Sequence, residues 1–313
     1  MYRSILVPLD CSPFGEHALP MALALARRTG ASLHLAHVHS PLAAVYLEGA
    51  GFLDESLDTH FVQHQQEYLQ AVAQRIGAMA PVTVTSVVLR GEIVPTLVDH
   101  AAHNGMDLVV MTTHGRGAFG RFWLGSVADE LVRQLPMPVL LTHPHEAQPD
   151  FTREVLPKFL LLPLDGSSLA EQMVDPVLEL ARFTGAEVVL LRVVKPVMPA
   201  QYPVEGYSVV EMARSIISRL EQLQEQAKKE AEDYLQRVAG RFRERAVKVQ
   251  TQVAVEDRPA VAILREAAGR AGGLVAIETH GRKGLARLLL GSVADKVIRG
   301  TPVPVLVHRP PHP

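Results

Sequence analysis

Residues 108–129 read LVVMTTHGRGAFGRFWLGSVAD, and residues 274–295 read LVAIETHGRKGLARLLLGSVAD. Each stretch opens on a short apolar run, Leu108–Thr112 or Leu274–Ile277, of the kind expected for a strand covered on both faces. Each then passes through Thr-His-Gly, as Thr113-His114-Gly115 or Thr279-His280-Gly281, and nine intervening residues to Gly125-Ser126 or Gly291-Ser292. A helical pattern follows at once. Aligned without gaps, Thr112–His143 and Glu278–Arg309 are identical at half of their positions. Self-similarity on that scale identifies a tandem repeat.

The repeat extends outward from these segments. SILVPLDCSPFGEHAL at 4–19 is answered by FLLLPLDGSSLAEQMV at 159–174. The beginnings are spaced more closely than the glycine loops, so the second copy carries an insertion. We place it within 197–245, where SRLEQLQEQAKKEAEDYLQRV reads as a long solvated helix with many Glu and Lys residues. The organisation expected is a first domain at 1–145, a linker at 146–157 rich in Pro and charge, and a second domain of the same kind at 158–313.

Within each copy, strand-like runs alternate with helical ones. In the first copy the strands are expected at Ser4–Leu9, Ser32–Val38, Val82–Val88, Leu108–Thr112 and Pro138–Thr142. Helices are expected at Phe14–Arg28, Thr59–Met79, Ile93–Asn104 and Ser126–Gln134. The second copy repeats the strands at Lys158–Leu164, Glu187–Val193, Val247–Val255, Leu274–Ile277 and Val303–Val307. Such alternation predicts an α/β fold: two tandem doubly wound, Rossmann-like domains, each a five-stranded parallel sheet with helices on both faces. Ligands of such sheets bind beyond the carboxyl ends of the strands, where strand order reverses.

Composition narrows the function. At 313 residues the chain suits two domains, and 48% hydrophobic with 5% aromatic residues implies an aliphatic core. A net charge of -2, from 31 basic and 33 acidic residues, argues against a nucleic-acid binder. One cysteine, Cys11, excludes an internal disulfide and fits a reducing cytoplasm. No apolar run approaches the roughly 20 residues of a membrane span, and the start lacks the pattern of a secretory leader.

The glycine loop suits a phosphate: glycines let backbone approach an anion, and a helix start presents N–H groups in a positive field. Ser126-Val127-Ala128-Asp129 also fits a helix-capping signal. Other signals carry less. Gly115-Arg116-Gly117-Ala118-Phe119-Gly120 matches the dinucleotide fingerprint but follows the wrong strand and is broken in the second copy. No P-loop is present, and no acidic pair after the first strand marks a receiver domain. His34, His37 and His39 alternate along one strand, as ligands on one face would, but have no counterpart at Val189, Arg192 and Val194; no metal is expected. His114 and His280 lack a partner that would make them general bases.

The two copies resemble the universal stress protein family. Its ATP-binding members carry G-x-x-G, nine residues and G-S/T after the fourth strand, and an aspartate in a V-P-x-D context after the first. Here those positions are Gly115, Gly125 and Ser126, with Val7-Pro8-Leu9-Asp10, then Gly281, Gly291 and Ser292, with Leu162-Pro163-Leu164-Asp165. The first motif glycine is replaced by Thr112 and by Glu278, which makes the second copy the poorer triphosphate site. The resemblance implies that Asp10, Val38, Asp165 and Val193 face the adenine and ribose. Thr112, Gly115, Arg116, Gly125, Ser126 and Val127 would attend the phosphates of one site, and Gly281, Arg282, Gly291, Ser292 and Val293 those of the other. The implied ligand is ATP, with AMP or ADP and Mg2+ as variants, in a stress-response sensor or binding module. An interaction protein without nucleotide and a slow ATP hydrolase are the competing functions. The resemblance also implies that the fifth strands pair within the chain, and a homodimer is compatible with it.

Overall fold

The computed structural model describes residues 2–40, 55–79, 81–113, 124–144, 148–198, 209–279 and 290–309, and structural statements below concern these. The first half runs β1 (Ser4–Pro8), α1 (Leu19–Thr29), β2 (Ser32–His39), α2 (Glu55–Met79), β3 (Val84–Arg90), α3 (Ile93–His103), β4 (Leu108–Thr112), α4 (Ser126–Gln134) and β5 (Val139–Thr142). A 3-10 turn, Gly15–Ala18, precedes α1. The second half runs β6 (Phe159–Pro163), a single turn α5 (Ser168–Glu171), α6 (Val174–Thr184), β7 (Glu187–Val194), α7 (Val209–Arg243), β8 (Val249–Val255), α8 (Pro259–Ala268), β9 (Gly273–Glu278), α9 (Ser292–Gly300) and β10 (Val305–His308).

The strands form one sheet in the order β3-β2-β1-β4-β5-β10-β9-β6-β7-β8. Each half is parallel throughout. The halves join where β5 meets β10 antiparallel, Val305 opposite Leu141, Leu306 opposite Leu140, Val307 opposite Val139. Leu140 and Leu306 occupy the same position of the repeat and face each other, so a pseudo-twofold axis passes between them. Two five-stranded sheets have become a single ten-stranded one, and two edges that would otherwise lie open are paired.

Side chains leave alternate faces of the strands and build two cores. One holds Ile5, Val7, Leu33, Leu35, Leu160 and Leu162 against α1, α2, α6 and α7. The other holds Leu6, Ala36, Val109, Leu161 and Val275 against α3, α4, α8 and α9. The buried stripe of α2, Leu69, Val72 and Ile76, has the helical spacing that such a face requires, and α7 repeats it with Leu235, Val238 and Phe242. α1 and α6 both end on a left-handed glycine, Gly30 and Gly185, each with φ of 73°, whose N–H returns to Ala26 or Ala181.

The insertion lengthens one helix: α7 has 35 residues where α2 has 25. Its added portion is largely exposed, including Ile216 and Ile217. The stretch read as a linker is packed down in part. Phe151 is buried, the Arg75 guanidinium lies 4.6 Å from its ring centroid, and Glu154 pairs with Arg28 at 2.8 Å. Among the described residues no helix is long and apolar enough to cross a membrane.

The seam between β5 and β10 should carry the coupling between halves. Leu140→Ala and Leu306→Ala should each cost about 2–5 kcal/mol in urea unfolding, as buried leucines do. Because the two side chains are neighbours, the double variant should depart from additivity by more than about 0.5 kcal/mol. Strict additivity would place the two leucines out of contact.

Candidate functional site

Strand order reverses between β1 and β4, since β2 lies on one side of β1 and β4 on the other. The connections leaving those strands diverge, and a cavity of about 220 Å³ opens at their carboxyl ends. Its walls are Pro8, Leu9 and Asp10 after β1, Ala36, His37 and Val38 of β2, Ile93 and Leu97 of α3, Met111, Thr112 and Thr113 of β4, and Gly125, Ser126, Val127 and Ala128 at the start of α4. The apolar part of its lining is Val38, Ile93, Leu97 and Met111, and the polar part is Asp10, Thr112, Thr113 and the helix start.

The helix start is set by one hydrogen bond: the Gly125 N–H donates to the Thr113 carbonyl at 2.8 Å. The first intrahelical bond runs from Asp129 N to Gly125 O, so the amides of Ser126, Val127 and Ala128 have no intrahelical acceptor. Gly125 is the N-cap, with φ −61° and ψ 151°, a conformation open to any residue. The capping signal read in the sequence is not used: Ser126 sits one residue inside the cap, and Asp129 bonds Arg133 at 2.9 Å instead of the helix start. The second half repeats the arrangement, with Gly291 N to Thr279 O at 2.6 Å and Asp295 on Arg299 at 2.8 Å.

The loop after β1 is also duplicated. Asp10 Oδ1 accepts from the Ser12 amide at 3.1 Å and hydroxyl at 2.6 Å, and Asp165 Oδ1 accepts from the Ser167 amide at 2.9 Å and hydroxyl at 2.5 Å. The residue between them is left-handed, Cys11 at φ 59° and Gly166 at φ 79°. Glycine takes that conformation freely and cysteine does not, so Cys11 occupies a position whose geometry favours the residue in the other copy.

Two supports of this loop are absent from the sequence reading. The Tyr68 hydroxyl donates to Glu16 Oε1 at 3.0 Å, with Arg75 on Oε2 at 3.0 Å, and Tyr234 donates to Glu171 Oε1 at 3.1 Å. Burial first, then the neighbouring carboxylate, pushes both phenols above their ordinary range. From β2, His37 Nδ1 donates to the Leu9 carbonyl at 2.7 Å, and from β7 Arg192 donates to the Leu164 carbonyl at 3.1 Å. These are equivalent braces built from different basic residues. Recurrence of Glu16 as Glu171 and of Tyr68 as Tyr234 was the available signal.

Of the residues expected at the first site, the structure brings together Asp10, Val38, Thr112, Gly125, Ser126 and Val127 around one cavity. Gly115 and Arg116, with His114, lie outside the described residues, as do Gly281, Arg282 and His280. In the second half Asp165, Val193, Gly291, Ser292 and Val293 occupy equivalent places on the fold, at the ends of β6 and β7 and the start of α9. The histidines of β2 do not share a face. An odd step separates His34 from His37, and His34 bonds Ser32 and Thr85, while buried His39 bonds Asp58 at 2.6 Å and Gln65 at 3.0 Å. Among the described residues no cluster of His, Cys, Asp and Glu could hold a metal ion.

The halves diverge at the end of the fourth strand. Thr112 and Thr142 are register partners in the first half; Glu278 and His308 are register partners in the second. Glu278 is 6% exposed, and its Oε1 lies 2.7 Å from His308 Nδ1. Its Oε2 is buried without a hydrogen-bond partner. Burial raises the Glu278 carboxyl above the usual carboxylate range, opposed by the His308 contact.

The chain matches the model of the Universal stress protein family twice, over residues 1–143 and 158–309. It belongs to that family. A universal stress protein of Mycobacterium tuberculosis is 32% identical over 238 residues, which cover 75% of this chain and 72% of the relative. One from Mycolicibacterium smegmatis is 28% identical over 318 residues, covering 98% and 97%. Among solved structures, a universal stress protein from Archaeoglobus fulgidus has the same fold, with a TM-score of 0.68, 19% identity and 98% of both chains covered.

A carboxyl group whose folded pKa is raised contributes stability below its unfolded pKa and loses it as pH rises through the folded value. Glu278→Gln should remove that dependence. Relative to wild type, the variant should gain stability as pH is raised from about 4 to about 8, followed by urea unfolding. A stability difference that stays flat across that range contradicts the burial of an ionisable group here.

Proposed function

We propose that this chain is a cytoplasmic stress-response protein that binds adenine nucleotide, ATP or its AMP and ADP relatives, in the cavity of the first half. The observation that carries the proposal is the polarity of that cavity. Its apolar lining, Val38, Ile93, Leu97 and Met111, suits a flat base, and its polar lining includes the start of α4, with the amides of Ser126, Val127 and Ala128 in the positive field of the helix. Asp10, in the polar part of the lining, suits a ribose hydroxyl.

The residues present fit the ligand class. The cavity, about 220 Å³ among the described residues, is somewhat smaller than the roughly 300–1,000 Å³ of typical small-molecule sites. Gly125 leaves room for a phosphate to approach the amides, and Thr112 adds a neutral hydroxyl near them. Gly115 and Arg116, on the loop between β4 and α4, would complete the phosphate contacts by their place in the family motif. In the second half Asp165, Val193, Gly291, Ser292 and Val293 would serve the corresponding roles, with Gly281 and Arg282. Where Mg2+ accompanies ATP, Asp10 is the one carboxylate among the described lining residues, and its Oδ1 is already held by Ser12. That favours binding over turnover.

Calorimetry of the full chain with ATP, ADP and AMP tests the proposal. Gly125→Val should abolish binding at the first half, because its backbone conformation admits valine while the side chain fills the phosphate approach. Thermal stability of the ligand-free variant should match wild type. Binding that survives Gly125→Val in a normally folded protein, with Gly291→Val also in place, would remove the cavity from the account.

A further inference from the structure

The repeat supplies an internal comparison, since the same fold presents two helix starts with different chemistry beside them. In the first half the strand residue that lines the cavity with the helix start is Thr112 and its register partner is Thr142, both neutral at any pH of interest. In the second half they are Glu278 and His308. Glu278 directly precedes Thr279, whose carbonyl receives the Gly291 N–H that fixes the start of α9. The position equivalent to Glu278 lines the cavity of the first half together with Gly125 and Ser126.

We propose that the Glu278–His308 pair makes the second half a proton-coupled anion site, which admits a phosphate only as the pair takes up a proton. The proposal rests on the nucleotide reading above and adds to it a regulation that distinguishes the two halves. One contact of 2.7 Å joins the pair, and one carboxylate oxygen, Oε2, is buried and unpartnered. With one shared proton beyond neutral imidazole and carboxylate, the pair is uncharged; without it, the pair carries a single negative charge in a place shielded from water. The proton is counted to the pair as a whole, across that one short contact. A phosphate brought to the start of α9 would meet that buried charge on the residue before the threonine that fixes the helix start, and like charges repel more strongly where water is excluded.

Among the described residues, the charged groups on the neighbouring elements have partners of their own. Asp165, after β6, has Oδ1 held by Ser167. Asp295 of α9 is paired with Arg299, and Arg265 of α8 with Glu256. Arg309 turns to the carbonyl of Arg133. Arg192 of β7 donates to the Leu164 carbonyl. β5 sets only Val139, Leu140 and Leu141 against β10.

The test titrates ATP into the full chain by calorimetry, between about pH 5 and about pH 8. Two buffers of different ionisation enthalpy report protons taken up. Gly291→Val and Gly125→Val assign each signal to a half, and the paired threonine replacement described below controls for protonation of ATP itself. The expected result is that second-half affinity, relative to the first half, rises as pH falls by up to about tenfold per pH unit, the limit for one linked proton. The paired replacement Glu278→Thr with His308→Thr should abolish that dependence and the extra proton uptake. A second half that binds with the same pH profile as the first, or stays silent at every pH while the first binds, overturns the proposal and leaves the first-half site standing. Silence from both halves at every pH overturns the nucleotide reading, and the proposal with it. Difference infrared spectra of ligand-free wild type and Glu278→Gln give a separate reading: a carboxyl band that titrates in wild type alone supports the pair, and none opposes it.

Discussion

The hydrogen bond from the Gly125 N–H to the Thr113 carbonyl, repeated from Gly291 to Thr279, is the constraint on which both candidate sites depend. It ties the carboxyl end of the fourth strand of each half to the first residue of the helix that follows. Because the bond uses the N-cap amide, the next three amides face outward from the helix start without an intrahelical acceptor. The strand residue before the bonded threonine is thereby held beside those amides. Whatever residue stands there, Thr112 or Glu278, sets the local charge at the place where an anion would arrive.

The loop after the first strand is fixed as firmly, by means that differ in detail between halves. Ser12 and Ser167 hold Asp10 and Asp165 in the same turn, and Glu16 with Tyr68 matches Glu171 with Tyr234. His37 and Arg192 do one task with two side chains, each donating to the carbonyl before the aspartate. The repeat has therefore preserved hydrogen-bond positions more strictly than residue types. That makes the replacement of two threonines by a carboxylate and an imidazole the more informative difference.

Strand positions and the doubly wound order were legible because buried parallel strands are nearly continuous apolar runs: β4 lies where Leu108–Thr112 was expected, and the other strands lie within two residues of theirs. The Glu–Tyr braces were harder to see, since their members fall on opposite sides of the insertion and keep different spacings in the two halves. The capping signal at Ser126 failed because glycine at the N-cap leaves the serine inside the helix and Arg133 claims Asp129. The three histidines of β2 failed as a cluster by parity alone. Burial of Glu278 followed from tertiary pairing with His308, thirty residues away, which no local pattern encodes.

The central claim is that the first half holds an adenine nucleotide between the ends of β1 and β4. It is tested most directly by mass spectrometry of small molecules released when the freshly purified full chain, first equilibrated with excess ATP and desalted, is denatured. The account predicts release of an adenine nucleotide from wild type and Gly291→Val, and its loss when Gly125→Val is combined with Gly291→Val. No nucleotide from any of the three, or equal release from all three, would contradict it.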